Sequence, residues 1–459
     1  MEKHEAKSLG RRLVLVVFPF QGHINPMLQL ATILNSKGFS ITIVHPQFHS
    51  PNHANHPEFI FVSLPDGLSE SNISPTDLVA LISALKTNCE APFQQYLEEM
   101  LKVDDPHDRV ACVVYDGFMH FAQVVANNLK LPGINVRTSA VATLLFFAVL
   151  PRAHDQGYIS FKVTYVQCLA QAPAPELQSL DFNDVLGPAE IPTPLLELRA
   201  TVTHATKKAS AIIVNTMHFL EQQTMSKVHE YFPSPIFRIG PYHKLAPPSA
   251  SSTSLLKEDT SRISWLDKQA PNSVIYISFG STVSIDEKEL VEIAWGLTNS
   301  EQPFLWVVRP GLVRGSEWIE LLPESFKERV EGRGCIVKWA PQKEVLAHGA
   351  VGGFWSHCGW NSTMESVCEG VPMLCRPYFG DQGLGARYVC RVWKVGLELD
   401  GVLERAKIER AIRTLMVDSE GVEIRERAKD LKEKADLCLS EDGSSYNALN
   451  ELAQHILSF

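Results

Sequence analysis

Short β-rich runs alternate with helical patterns along this chain, and the alternation starts afresh beyond a stretch, Ala246 to Ser254, built only of Ala, Pro, Ser and Thr. Strand and helix in repeated succession specify a parallel sheet wound on both faces, because parallel neighbours need a crossover and the helix supplies it. In the first half the runs are LVLVVF (13 to 18), SITIVHP (40 to 46), FIFVSLP (59 to 65) and VACVVYD (110 to 116), with a helical segment at QLATILNSKG (29 to 38). After the last of these, Phe118, Phe121, Ala122, Val125, Ala126 and Leu129 recur at helical spacing. The second half opens with SVIYISFG (273 to 280), and Ser284 with Glu287 makes a capping box for a helix whose Leu290, Ile293, Ala294 and Leu297 share one face. Strands follow at PFLWVV, CIVKW, VGGFW, VPMLC and VGLEL. The expected organisation is an α/β domain over 1–245, a linker over 246–262 and a second α/β domain over 263–440. A last amphipathic helix, 441–459, carries Tyr446, Leu449, Ala453 and Ile456 on one face and is expected to pack back on the first domain.

At 459 residues the chain exceeds the size at which a single core stops growing. Its 42 basic and 52 acidic residues, net −10, are spread without long like-charge blocks, which gives no footprint for nucleic acid. Nine cysteines, at 89, 112, 168, 335, 358, 368, 375, 390 and 438, form no C-x-x-C pair and predict reduced, mostly buried thiols in a cytoplasmic protein. Lys7, Arg11 and Arg12 precede the first apolar run, but Pro19 ends it early and no cleavage site follows, so it reads as a strand rather than a signal peptide. AVATLLFFAVL (140 to 150) falls short of the roughly 20 residues of a membrane span. A soluble monomer is the expectation.

Two stretches carry chemistry. In FPFQGHINPML (18 to 28), His23 follows Gly22 where the first strand hands over to a helix, without the G-x-G-x-x-G spacing of a dinucleotide fold. The imidazole is either a titratable group presented at the carboxyl end of the sheet, where open α/β folds bind ligands, or a histidine that satisfies a backbone group. The second stretch is WAPQKEVLAHGAVGGFWSHCGWNSTMESVCEGVPMLCRPYFGDQ, from Trp339 to Gln382. Within it a strand ends near Trp355 and a helix opens near Asn361, with Ser362 in its first turn. The unpaired N–H groups of such a helix start make an anion site, and Gly359 lets an anion come close. Phosphate is the expected ligand, with His357 as a further donor and Glu365 as an acceptor for ribose hydroxyls. Trp339 suits stacking on a flat base or burial in the core. Asp381 and Gln382 offer what sugar hydroxyls require, or simply cap a helix.

Residues 339 to 382 resemble the signature box of plant UDP-dependent glycosyltransferases, inverting enzymes that glycosylate small metabolites. W-x-P-Q, H-x-G-W-N-S, E-S and D-Q fall at that family's spacing, and PFQGHINP, FGS (279 to 281) and WLD (265 to 267) extend the resemblance over essentially the whole chain. The resemblance is closest to the branch that glucosylates terpenoids, their glycosides and cytokinins. It implies the GT-B fold, two Rossmann-like domains facing a cleft, with the acceptor in the first and the UDP-sugar in the second. It implies that Trp339 stacks on uracil, that Gln342 and Glu365 hold the ribose, and that His357, Gly359, Asn361, Ser362 and Ser281 line the pyrophosphate. Trp360, Asp381 and Gln382 would contact the sugar, Gln382 as in glucose-using members. Two positions depart from the family pattern: Gly385 stands where Asn is usual after D-Q, and Ser356 where Thr is common.

The same resemblance gives His23 a task. An acceptor hydroxyl must lose its proton as it attacks the anomeric carbon, and a near-neutral imidazole can take it. Asp116, ending a strand of the same sheet, would orient that imidazole, or else cap the helix after it. Thr138 would approach the sugar or His23, and Met119, Phe146 and Phe147 are apolar candidates for the acceptor pocket, most of them equally good as core residues. UDP-glucose enters as a co-substrate. No cofactor is expected, and no Asp-x-Asp motif calls for a divalent metal. The alternatives are a catalytically silent UDP-sugar binder, which has no use for His23 with Asp116; a dinucleotide oxidoreductase, which lacks its glycine fingerprint; and a glycosidase, which lacks paired carboxylates.

Overall fold

The computed structural model describes residues 9–68, 77–103, 108–155, 193–247 and 256–459. They form two compact units: the described residues up to 247 together with Cys438–Phe459, and Leu256–Leu437. Unit one is built on seven parallel strands: β1 (Arg11–Val16), β2 (Ser40–Pro46), β3 (Ile60–Leu64), β4 (Arg109–Asp116), β5 (Gly133–Arg137), β6 (Ala211–Val214) and β7 (Ile236–Arg238). Their order is β3-β2-β1-β4-β5-β6-β7. β1 shows why the sequence reads as an unbroken apolar run. Leu13 and Leu15 join a core beneath the helix Gln21–Ser36, while Val14 and Val16 join the opposite core beneath the helices Leu78–Lys102 and Phe121–Asn128. Buried on both faces, the strand has no polar side to alternate with.

Unit two holds β8 (Val274–Ser278), β9 (Phe304–Val307), β10 (Gly334–Val337), β11 (Val351–Ser356), β12 (Met373–Cys375) and β13 (Gly396–Glu398), in the order β10-β9-β8-β11-β12-β13. In each sheet the strand order reverses once, between β1 and β4 and between β8 and β11. Crevices at the carboxyl ends of such strand pairs are where doubly wound sheets take ligands.

Three local readings change. The expected capping box at Ser284 and Glu287 does not form. Ile285 is drawn into an extended bridge with Val313, its N–H donating to the Leu312 carbonyl at 2.8 Å, so the helix starts later, at Glu287. Asp286 is its N-cap and accepts from the Glu289 N–H at 2.8 Å. The first helix begins at Gln21, not near residue 29, and runs through Pro26. On the last helix, Ser444–Leu457, the core face is Leu449, Leu452, Ala453 and Ile456, packed within unit one; Tyr446 lies off it, with Lys37 Nζ 5.2 Å from its ring. Most of the Ala246 to Ser254 stretch, and Cys168, lie outside the described residues. The other eight cysteines are free thiols. Among the described residues no helix is long and apolar enough to cross a membrane.

Candidate active site

His23 sits in the first turn of the helix Gln21–Ser36. Phe20, extended at φ −126°, ψ 146°, is the N-cap, and its carbonyl accepts from the N–H groups of His23 and Ile24 at 2.8 Å. The side chain is thereby held where β1 and β4 end. Its Nδ1 lies 2.7 Å from Asp116 Oδ2, and the Thr138 hydroxyl is 3.1 Å from the same nitrogen. The other Asp116 oxygen accepts from the Phe118 N–H at 2.9 Å, so this one carboxylate both orients the imidazole and caps the turn behind it. A carboxylate only accepts, which fixes a proton on Nδ1 and leaves the lone pair on Nε2. The rings of Phe18 and Phe118 wall the imidazole at 5.0 and 5.4 Å between centroids. The His23 side chain is 23 % exposed and that of Asp116 2 %, so the imidazole is open to a reactant and the carboxylate behind it is not.

In unit two the turn after β11 leads into the helix Trp360–Glu369, with Gly359 as N-cap and Asn361 and Ser362 in the first turn. A Cβ on Gly280 or Gly359 would lie 2.6 or 2.5 Å from His357 ring atoms. Both glycines therefore make room for this chain's own imidazole, whereas the sequence alone assigned the opening at Gly359 to an anion. Burial pushes the His357 pKa down to about 4, with the nearby Arg309 charge acting in the same direction, so the ring is neutral at pH 7. Gln342 opens the helix Gln342–Ala347; its amide donates to Ser362 Oγ at 2.9 Å and Glu365 Oε2 at 2.7 Å, and its Oε1 accepts from the Tyr276 hydroxyl at 3.3 Å. Burial raises the pKa of the Glu365 carboxyl, and the Gln342 bond works against that rise. Gln342, Ser362 and Glu365 thus form one network along the start of the helix, able to hold neighbouring hydroxyls or an anion. Ser281, in the turn after β8, and Trp339, after β10, are half-buried at the same carboxyl edge of the sheet.

Other expected residues are placed less openly. The Trp360 ring is a core group, its residue 5 % exposed and its centroid 6.3 Å from that of Trp393. Gln382 uses its carbonyl to accept from the N–H groups of Tyr378 and Phe379 at 2.8 and 3.1 Å, beside the half-buried Asp381. Met119, Phe146 and Phe147 are all buried, and Arg199 lies 5.3 and 5.1 Å above the two phenyl rings, so none offers an open face to an acceptor. Sequence reasoning missed Tyr276, Arg309 and Glu221. The Glu221 carboxylate accepts from the N–H groups of Val141 and Ala142 at 3.0 Å and from the Thr216 hydroxyl at 2.9 Å. It pins the start of the helix Val141–Asp155 three residues beyond Thr138. No spacing signal announces it; a strand-end Arg in an apolar run was the one available hint for Arg309.

The family model described as "UDP-glucoronosyl and UDP-glucosyl transferase" matches residues 14–423. UDP-glycosyltransferase 76B1 of Arabidopsis thaliana is 48 % identical over 460 residues, covering 100 % of both chains. UDP-glycosyltransferase 76H1 of Stevia rebaudiana is 45 % identical over 434 residues, 94 % of this chain and 100 % of that one. Among solved structures, Phytolacca americana UGT2 complexed with UDP-2fluoro-glucose and pterostilbene superposes with a TM-score of 0.80 at 27 % identity, covering 98 % of this chain and 100 % of that one.

Proposed function

Since the chain belongs to the family of UDP-glucosyl and UDP-glucuronosyl transferases, as a plant UDP-glycosyltransferase, we propose that it transfers glucose from UDP-glucose, with inversion, to a hydroxyl or carboxyl of a small apolar plant metabolite. A terpenoid, its glycoside or a flavonoid is the acceptor class. The observation that carries the reading is the bond of 2.7 Å between His23 and the buried Asp116 at the point where strand order reverses in unit one. His23 Nε2 takes the proton as the acceptor oxygen bonds to the anomeric carbon, the bond from that carbon to the diphosphate oxygen breaks, and Asp116 steadies the imidazolium. UDP departs to Ser281, His357, Asn361 and Ser362, whose dipoles are oriented before the reaction begins. A silent UDP-sugar binder has no use for an oriented, accessible imidazole.

Glucose as donor is supported by Gln382 at the end of the box and by the fluoroglucose nucleotide named for the Phytolacca americana structure. The absence of an Asp-x-Asp motif supports catalysis without a metal. The test is a matrix of UDP-glucose, UDP-galactose and UDP-glucuronate against terpenoid, terpenoid-glycoside and flavonoid acceptors, with and without EDTA, products being read by NMR. The reading predicts β-glucosides, formed fastest from UDP-glucose and unaffected by chelation. An α-linked product, or faster transfer of galactose, would overturn the stereochemistry or the donor.

A further inference from the structure

Arg309 lies two residues beyond β9 and is 9 % exposed. Its Nε donates to the Gly280 carbonyl at 3.0 Å, Nη1 to that of Pro310 at 3.1 Å, and Nη2 to that of Val283. All three acceptors are neutral, and among the described residues no carboxylate pairs with this guanidinium. A charge taken out of water without a counter-ion is expensive, and an anion brought beside it offsets part of that cost. Arg309 follows β9, the strand next to β8, and its bonds to Gly280 and Val283 close around the turn after β8 that carries Ser281. His357, packed against Gly280, already feels the guanidinium as a charge that disfavours its own protonation.

We propose that Arg309 supplies the uncompensated positive charge of the donor site, and that its counter-ion is the diphosphate of the bound nucleotide. The inference rests on the reading of unit two as the nucleotide-sugar site. Arg309 is a positioning residue in this account: the fork holds the 280–283 turn, and the charge favours the polyanion received at that turn and at the start of the helix Trp360–Glu369.

Titrating the purified full-length protein with UDP and with uridine, at low salt where such charges are least screened, separates charge from shape. Arg309→Met should weaken UDP about tenfold and uridine less than about twofold, as for a unit charge acting at an effective dielectric of about 20. Arg309→Lys keeps the charge but loses the fork, and should retain the wild-type ratio of UDP to uridine affinity. Equal losses for both ligands in Arg309→Met would reduce Arg309 to a brace for the turn and overturn the proposal. If that variant does not fold, Arg309→Gln, which still offers N–H donors to the carbonyls, is judged by the same ratio. A wild type that binds neither ligand overturns the nucleotide reading itself, an outcome distinct from an unchanged ratio in the variants.

Discussion

His357 and Glu221 are moved by burial in opposite senses, and stability should record both. The His357 pKa is about 4 in the folded chain against 6.5 for an unrestrained imidazole, so below pH 6.5 the unfolded state binds the proton first and stability is lost as pH falls toward 4. The Glu221 carboxyl is pushed up to about 7 by burial, against an ordinary value of 4.5. Between those values the folded state holds a proton that the unfolded state has released, so this contribution is full below pH 4.5 and declines as pH rises to 7, by about 3 kcal/mol. Glu221→Gln cannot ionise and removes the decline. Urea unfolding of both proteins at pH 5 and pH 8 should show the variant gaining on the wild type at the higher pH; an unchanged difference would contradict the burial assigned to Glu221.

The helix Gln382–Arg387 and the turn after β11 approach each other closely at one residue. A Cβ on Gly385 would stand 2.5 Å from the Cys358 carbonyl oxygen, a backbone atom that cannot swing aside, while Cys358 itself adopts φ 65°. The departure from the family's usual Asn therefore has a steric sense in this chain: only glycine lets the two segments meet. Gly385→Ala should cost about 1 to 3 kcal/mol by overpacking and weaken UDP binding, because Cys358 lies between His357 and Gly359. Wild-type stability and affinity in that variant would show that the turn yields freely. At this scale the sequence was most legible where polar residues gather at strand ends, as from His357 to Glu365, since strand period and helix start are both written locally. It was least legible where an element answers to a distant partner. Ile285 pairs with Val313 and so displaces a capping box that looked complete on local grounds, and the bond between Gln342 and Glu365 joins residues that no periodicity relates.

Both parallel sheets were legible in the alternation of strand and helix, because strands buried on two faces leave long apolar runs that little else produces. The choice between pocket wall and core for Met119 and Phe146 was not, since both use the same side chains; the structure buries the two residues. The last helix belongs to unit one, where Leu452 is fully buried with Leu449 and Ile456. Leu452→Ala should destabilise unit one by about 2 to 5 kcal/mol while leaving UDP affinity, a property assigned to unit two, unchanged below the melting range. Loss of UDP binding in the folded variant would contradict that assignment. The central claim is that His23 removes the acceptor proton and is oriented by Asp116. Its most direct test is UDP release by wild type and by His23→Ala, with UDP-glucose, an accepted acceptor and UDP affinity measured alongside. The account predicts a loss of about 10²-fold to 10⁴-fold in transfer, the range of a general base, with UDP affinity intact; transfer by His23→Ala at the wild-type rate would contradict it.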